Sequence, residues 1–254
     1  AKDSEQVSTE LITAGIQLAS GLEALGNVIN QDKSMVVSSS DMCAKRIVRG
    51  LKNGGYTLVR SRFAKDLGIG TTVGRRRHTS TIWKRFMLVR TRVRRIKILT
   101  AIDKRASKLY NTGAYPQATY GKEAYGICPT QLAKLRAMAA EAISTRSAGQ
   151  CTTTLIWTML REDQDPAIKV VGDQVRMWHY LMQTPTYFDD PEAVSKAWWK
   201  AKEKYYTAPN PWATIKGPMG ATIGTLDHCG WIGISPFKWI SDEGDEWQYV
   251  RGSA

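Results

Sequence analysis

The sequence predicts an α+β fold that is mainly helical, on three observations. Apolar residues recur at helical spacing through most of the chain after residue 72. Short β-branched runs occur early, at Met35-Val36-Val37 and after Tyr56. Prolines such as Pro116, Pro129, Pro166 and Pro191 stand at the starts of the periodic segments. The expected organisation is a small α/β piece at 1–72, a basic helical segment at 73–148, further helices at 149–208 and an aromatic-rich tail at 209–254.

The elements follow in order. Ser4 is placed to cap a helix burying Val7, Leu11, Ile12, Leu18, Leu22 and Leu25, and Gly26 ends it. Met35–Val37 is a short strand, and Cys43–Lys52 a second short helix. Asn53-Gly54-Gly55 is a turn. Tyr56–Arg60 and Phe63–Ile69 are two short strands, and Gly70–Gly74 links them to the basic segment. After that segment Asn111-Thr112-Gly113 breaks the helix, and Pro116 opens the next one, through about Tyr125. Pro129 opens a helix with Leu132, Leu135, Met138, Ala139 and Ile143 on one side. Cys151–Arg161 reads as a buried apolar helix. Pro166–Met182 and Pro191–Tyr206 are amphipathic helices, and Pro209-Asn210-Pro211 is a linker. Met219–Cys229 is a helix with Ile223 and Leu226 inward, and the tail forms a small hairpin. The Trp and Tyr side chains of the second half sit at helix-face spacing and are expected in the core.

One stretch stands apart in charge. Arg75–Lys108 holds thirteen basic residues against one acid, Asp103, and so carries +12 of the chain's +13. No Pro or Gly interrupts it, and Phe86, Val89, Val93, Ile96 and Leu99 keep helical spacing. A long helix of about five to eight turns is expected, one face in a core and the rest cationic. Such a surface suits phosphates, because Lys and Arg displace the counterions condensed on a nucleic-acid backbone. The candidate contacts are Arg75, Arg76, Arg77, Lys84, Arg85, Arg90, Arg92, Arg94, Arg95 and Lys97.

At 254 residues the chain is long enough for a sizeable core. A pI near 9.7 favours an acidic partner. No apolar run approaches the roughly 20 residues of a membrane span, and no signal peptide is visible, so an intracellular place, nuclear or cytoplasmic, without a membrane partner is expected. Cys43, Cys128, Cys151 and Cys229 are scattered without metal-ligand spacing, which predicts reduced structural thiols and no metal site. The chain opens at Ala1 without an initiator Met, and a fragment of something longer is expected.

Several short features in order resemble the back end of a reverse transcriptase of the non-LTR retroelement type. They are a helix with a Gly end, Asn30-Gln31-Asp32-Lys33-Ser34 before a strand, and a strand ending Asp66-Leu67-Gly68-Ile69. The Arg-rich helix and then Tyr120-Gly121-Lys122-Glu123 follow. The match covers about residues 4–145. It implies a palm end carrying motifs D and E at 1–72, a thumb at 73–148 and a helical connection at 149–208. It implies RNA template and RNA/DNA duplex as partners of a parent RNA-directed DNA polymerase. Lys33 matches the motif D lysine, a candidate general acid near the leaving pyrophosphate, and Leu67 and Gly68 match the primer grip.

The departure bears on activity. Family catalysis uses Mg2+ ions held by three carboxylates, two of them in a Tyr-x-Asp-Asp hairpin expected ahead of the first helix here. This chain is therefore expected to be inactive alone and to need no cofactor of its own. Tyr187-Phe188-Asp189-Asp190 spells those letters, but Thr184-Pro185-Thr186 precedes it and Pro191 follows it. That context predicts a loop with Asp190 as a helix N-cap. Two alternatives stay open: a stand-alone, non-catalytic RNA- or DNA-binding protein, and a membrane-surface protein using the basic helix.

Overall fold

A computed structural model describes residues 4–66, 69–74, 76–144, 149–184 and 190–249. The fold is α+β and mainly helical, as the sequence predicts. It divides into two compact units, Ala1–His78 and Thr79–Ala254.

In the first unit α1 (Ser4–Ala24) packs on α2 (Asp41–Asn53). Gly26, at φ +81°, closes α1, and the Asn27 N–H donates to the Leu22 carbonyl at 3.0 Å. The expected inward face is corrected. Leu11, Leu18, Leu22 and Leu25 are exposed, while Ile12, Ile16 and Ala19 pack with Ile47 and Leu51. α1 carries apolar residues on two faces, and α2 selects one of them because it offers glycines. A Cβ on Gly54 would lie 2.7 Å from Ile16 Cδ1, and one on Gly50 would collide with Ile12. The isoleucines seat in notches that the leucines do not reach.

β1 (Met35–Val37) pairs parallel with β2 (Val59–Ser61), Val36 opposite Arg60, with α2 as the crossover. Tyr56 and Leu58 do not join the strand but pack in the core, where the Tyr56 hydroxyl donates to Glu23 Oε2 at 2.9 Å. The expected link at 70–74 is also corrected. β3 (Phe63–Asp66) pairs antiparallel with β4 (Ile69–Thr72), Phe63 opposite Thr72.

The second unit begins with α3 (Ser80–Ile102), whose 23 residues make about six turns, within the five to eight expected, and fill the middle of 75–108. Three successive arginines in a first turn would oppose the positive end of the helix dipole. At the other end Asp103 is extended, and its carboxylate accepts the Arg105 N–H at 2.9 Å, a local turn that competes with the helix. The chain does not break at Asn111–Gly113. A π-helical turn at Tyr110–Ala114 runs straight into α4 (Tyr115–Thr119). Tyr110, Ala114 and Tyr115 are fully buried there, and the Tyr110 hydroxyl donates to the Leu135 carbonyl at 2.7 Å, so burial overrides the local breakers. Gly121, at φ +77°, separates α4 from α5 (Lys122–Tyr125).

α6 (Pro129–Ile143), α7 (Thr152–Met159) and α8 (Pro166–Gln183) follow. A first core joins α3, Tyr110 to Ala118, α6, Ile156 and Val170. α7 is not the buried helix expected, since Ile156 alone is buried and Trp157 is 72% exposed. A second core joins Trp178 and Met182 of α8 to α9 (Pro191–Tyr206) and α11 (Gly217–His228). Where a linker was expected, Pro211 opens a one-turn helix α10 (Pro211–Thr214), and Asn210 caps it through the Ala213 N–H. The tail is a three-stranded antiparallel sheet: β5 (Ile232–Ser235), β6 (Lys238–Ile240) and β7 (Glu246–Gln248). Trp198 is fully buried under β5, but Trp199 and Trp247 are more than half exposed. The aromatic residues are thus only partly core.

Charged and polar groups tie the helices of this unit together. The Arg136 guanidinium of α6 donates from Nε and Nη2 to the two oxygens of Asp165, at 3.1 and 3.0 Å. Asp165 is 2% exposed and also caps α8 through the Ala167 N–H. Lys122, also buried, lies 2.9 Å from Asp173 and 3.3 Å from Glu123.

Candidate nucleic-acid interface

α3 holds seven basic residues and no acid. Its inward stripe is Ile82, Phe86, Val89, Val93, Ile96 and Thr100, all buried. Thr100 closes the stripe where Leu99 was expected. Its hydroxyl donates to the Ile96 and Ala142 carbonyls, while Leu99 is 46% exposed. With that stripe fixed, a turn of 100° per residue spreads the basic side chains over the rest of the helix. Lys84, Arg94 and Arg95 fall on the side opposite the core, Arg90 and Lys97 on one flank, and Arg85 and Arg92 on the other.

The seven are held differently. Arg85 donates to the Tyr120 carbonyl at 2.6 Å, and its guanidinium stands 4.8 Å from the Tyr120 ring centre. Arg92 donates to Gln117 Oε1 at 3.0 Å. Gly113 makes room for Arg92, because a Cβ there would lie 3.0 Å from Nη2. Tyr120 and Gln117 thus orient these two cations, and neither support is itself charged. Among the described residues Lys84, Arg90, Arg94, Arg95 and Lys97 pair with no carboxylate, and all but the half-buried Lys97 are exposed. Elsewhere in the chain Asp41, Asp163, Asp165, Asp173 and Glu246 each hold a cation. The segment from Lys84 to Lys97 spans about 20 Å along the axis, the length of roughly six phosphates on one strand.

The other sequence candidates lie outside α3 in the chain. Arg76 is exposed and Arg77 half-buried, both ahead of α3 and in the first unit. Arg75, Leu67 and Gly68 lie outside the described residues. Lys33 is exposed in the turn before β1, where its N–H donates to Asn30 Oδ1 at 3.1 Å. Tyr187, Phe188 and Asp189 also lie outside the described residues, whereas Asp190 caps α9 through the Ala193 N–H at 2.9 Å, as the sequence predicts. Among the described residues no group of three or more His, Cys, Asp or Glu side chains is placed to hold a metal ion, and the four cysteines are unpaired. No described helix is long and apolar enough to cross a membrane.

Sequence reasoning missed Tyr120, Gln117 and Gly113 as supports for the arginines. A signal existed only in part. Tyr120-Gly121 stands out in the sequence as a motif, but its link to Arg85 spans 35 residues of chain. Comparisons with protein-family models, curated proteins and solved structures find no match for this chain.

Proposed function

We propose that the chain binds the sugar–phosphate backbone of nucleic acid through α3, and that it is the duplex-holding part of an RNA-directed DNA polymerase. One observation carries the first half: seven cations stand within four helical turns, and five of them, Lys84, Arg90, Arg94, Arg95 and Lys97, pair with no carboxylate among the described residues. A folded protein gains nothing from crowding like charges on one exposed surface, whereas a polyanion releases counterions when it meets them. Arg85 and Arg92 are pre-oriented, which reduces the side-chain entropy lost on contact. Backbone contacts of this kind position a duplex without reading its bases. The polymerase half rests on the ordered short motifs alone, with Lys33, Leu67 and Gly68 in the roles the resemblance gives them. Mg2+ would belong to the parent's carboxylate site, and no step of this chain's own chemistry runs through it.

The test is fluorescence anisotropy with a labelled RNA/DNA primer–template duplex, a double-stranded DNA and an anionic vesicle. Nanomolar to micromolar binding to both duplexes, with little dependence on sequence, is expected. Stronger binding to the vesicle than to either duplex refutes the reading in favour of a membrane surface. Duplex binding that ignores the RNA/DNA hybrid leaves only the non-catalytic nucleic-acid-binding alternative.

A further inference from the structure

The second unit carries an aromatic trough that the nucleic-acid reading does not use. It lies between α8 and the three-stranded sheet and encloses about 440 Å3. Trp178, His179 and Met182 line it from α8, and Trp231, Phe237, Trp239, Trp247 and Tyr249 from the sheet side. Trp239 and Trp247 are register partners on β6 and β7 and so share one face of the sheet. Trp231 stacks on Trp247 at 5.9 Å between ring centres, and His179 meets Tyr249 edge-on at 5.0 Å. Trp247 is 58% exposed, an unusual state for a large ring whose neighbours are packed.

Charge narrows the occupant. From Gly217 to Tyr249 the chain has Asp227, Asp242, Glu243, Asp245 and Glu246 against the single cation Lys238. α8, the other wall, adds Lys169 and Arg176 against Asp173, so these elements together carry six acids against three cations in a chain whose net charge is +13. Phosphates are repelled there, so a stacked nucleobase is a poor fit. The volume suits an extended ligand filling several subsites rather than one ammonium head. An aromatic-lined trough over a sheet takes a polyproline II segment, whose rings pack against aromatic side chains and whose ordering cost is low. Such a segment presents carbonyls and no N–H at its prolines. The indole N–H of Trp239, whose ring lines the trough, is buried without an acceptor, and a turn of the ring that brings it to a ligand carbonyl would remove that penalty.

We infer that this trough binds a proline-rich peptide flanked by basic residues. The proposal is independent of the α3 reading. The test follows the protein's tryptophan emission during titration with a synthetic oligoproline peptide flanked by arginines. The same peptide flanked by glutamates, a proline-free trimethyllysine peptide and a single-stranded oligonucleotide are the comparison arms. Saturable change with the arginine-flanked peptide, at least about tenfold weaker binding of the glutamate-flanked one, and at least about tenfold loss in Trp247→Ala are expected. Should Trp247→Ala unfold, Val175→Trp fills the trough from α8 and is expected to abolish binding in its place. No saturable change with the arginine-flanked peptide overturns the proposal. So does tighter binding of the trimethyllysine peptide, or an oligonucleotide response that Trp247→Ala, or its replacement Val175→Trp, removes.

Discussion

The double substitution Arg94→Ala/Arg95→Ala tests the charge reading of α3 most directly. Both side chains are exposed and face away from the core stripe, so removing them leaves the packing of Phe86, Val89, Val93 and Ile96 intact. The five cations without a carboxylate give about five phosphate contacts and a log–log salt slope of roughly −4.5 at about 0.9 per contact. Removing two leaves a slope of roughly −2.7. Between 50 and 200 mM salt, the wild type then loses about 500-fold in affinity and the variant about 40-fold. The assay is anisotropy of a labelled duplex across that salt range, with circular dichroism to confirm the fold. An unchanged slope means that α3 does not meet phosphates through these residues. A slope near zero in the wild type refutes the electrostatic argument as a whole.

Other outcomes follow from the packing. Asp165→Ala leaves the Arg136 guanidinium three-quarters buried without its carboxylate and uncaps α8. A loss of about 3–5 kcal/mol in urea unfolding is expected, and Arg136→Met on that background should recover part of it; additive losses would contradict the pairing. Gly233→Ala sets a Cβ 2.6 Å from Cζ2 of the fully buried Trp198, a rigid ring that cannot turn aside. A cost of about 1–3 kcal/mol is expected, read as a lower melting temperature, and an unchanged one means that the strand shifts freely. At high pH the protein should unfold. Burial pushes Tyr206 up to about 12, with its bond to Asp227 adding to the effect, and raises Tyr110, Tyr115 and Tyr205 further. Their raised values mean that the folded state keeps protons the unfolded chain releases above about pH 10. Stability therefore holds below that pH and falls as pH climbs toward the folded values. Tyrosinate absorbance should rise together with loss of helical signal, and a rise completed while the helices persist would refute the assignment.

The sequence disclosed most where one signal dominated. Pro129, Pro166 and Pro191 start their helices as expected, and Phe86, Val89, Val93 and Ile96 face inward as their spacing predicts. It disclosed least where a partner decides. α1 has two apolar faces, and only the glycines of α2 show which one is used. Asn111-Thr112-Gly113 carries the composition of a break, yet buried tyrosines on either side and Arg92 above Gly113 hold a π-turn. For the interface, the residue types were legible and their supports were not, because Gln117 and Tyr120 reach the arginines only once α4 has folded against α3.

α8 enters both cores of the second unit, Val170 in the first and Trp178 with Met182 in the second. Between them Gln174, 2% exposed, donates to Thr222 at 3.0 Å, and Asp173 holds Lys122. A continuous helix shared in this way couples the two cores mechanically: neither can melt without releasing one end of the same beam. Amide hydrogens in the middle of α8 should then exchange last and at a common rate, because their opening needs the whole unit to unfold. The exposed ends, Trp157 on α7 and the β6–β7 turn, can fray on their own schedule. A force or a ligand applied to the sheet is thereby transmitted along α8 toward α3, which makes slow-exchanging α8 amides the place to look for communication between the aromatic trough and the basic helix.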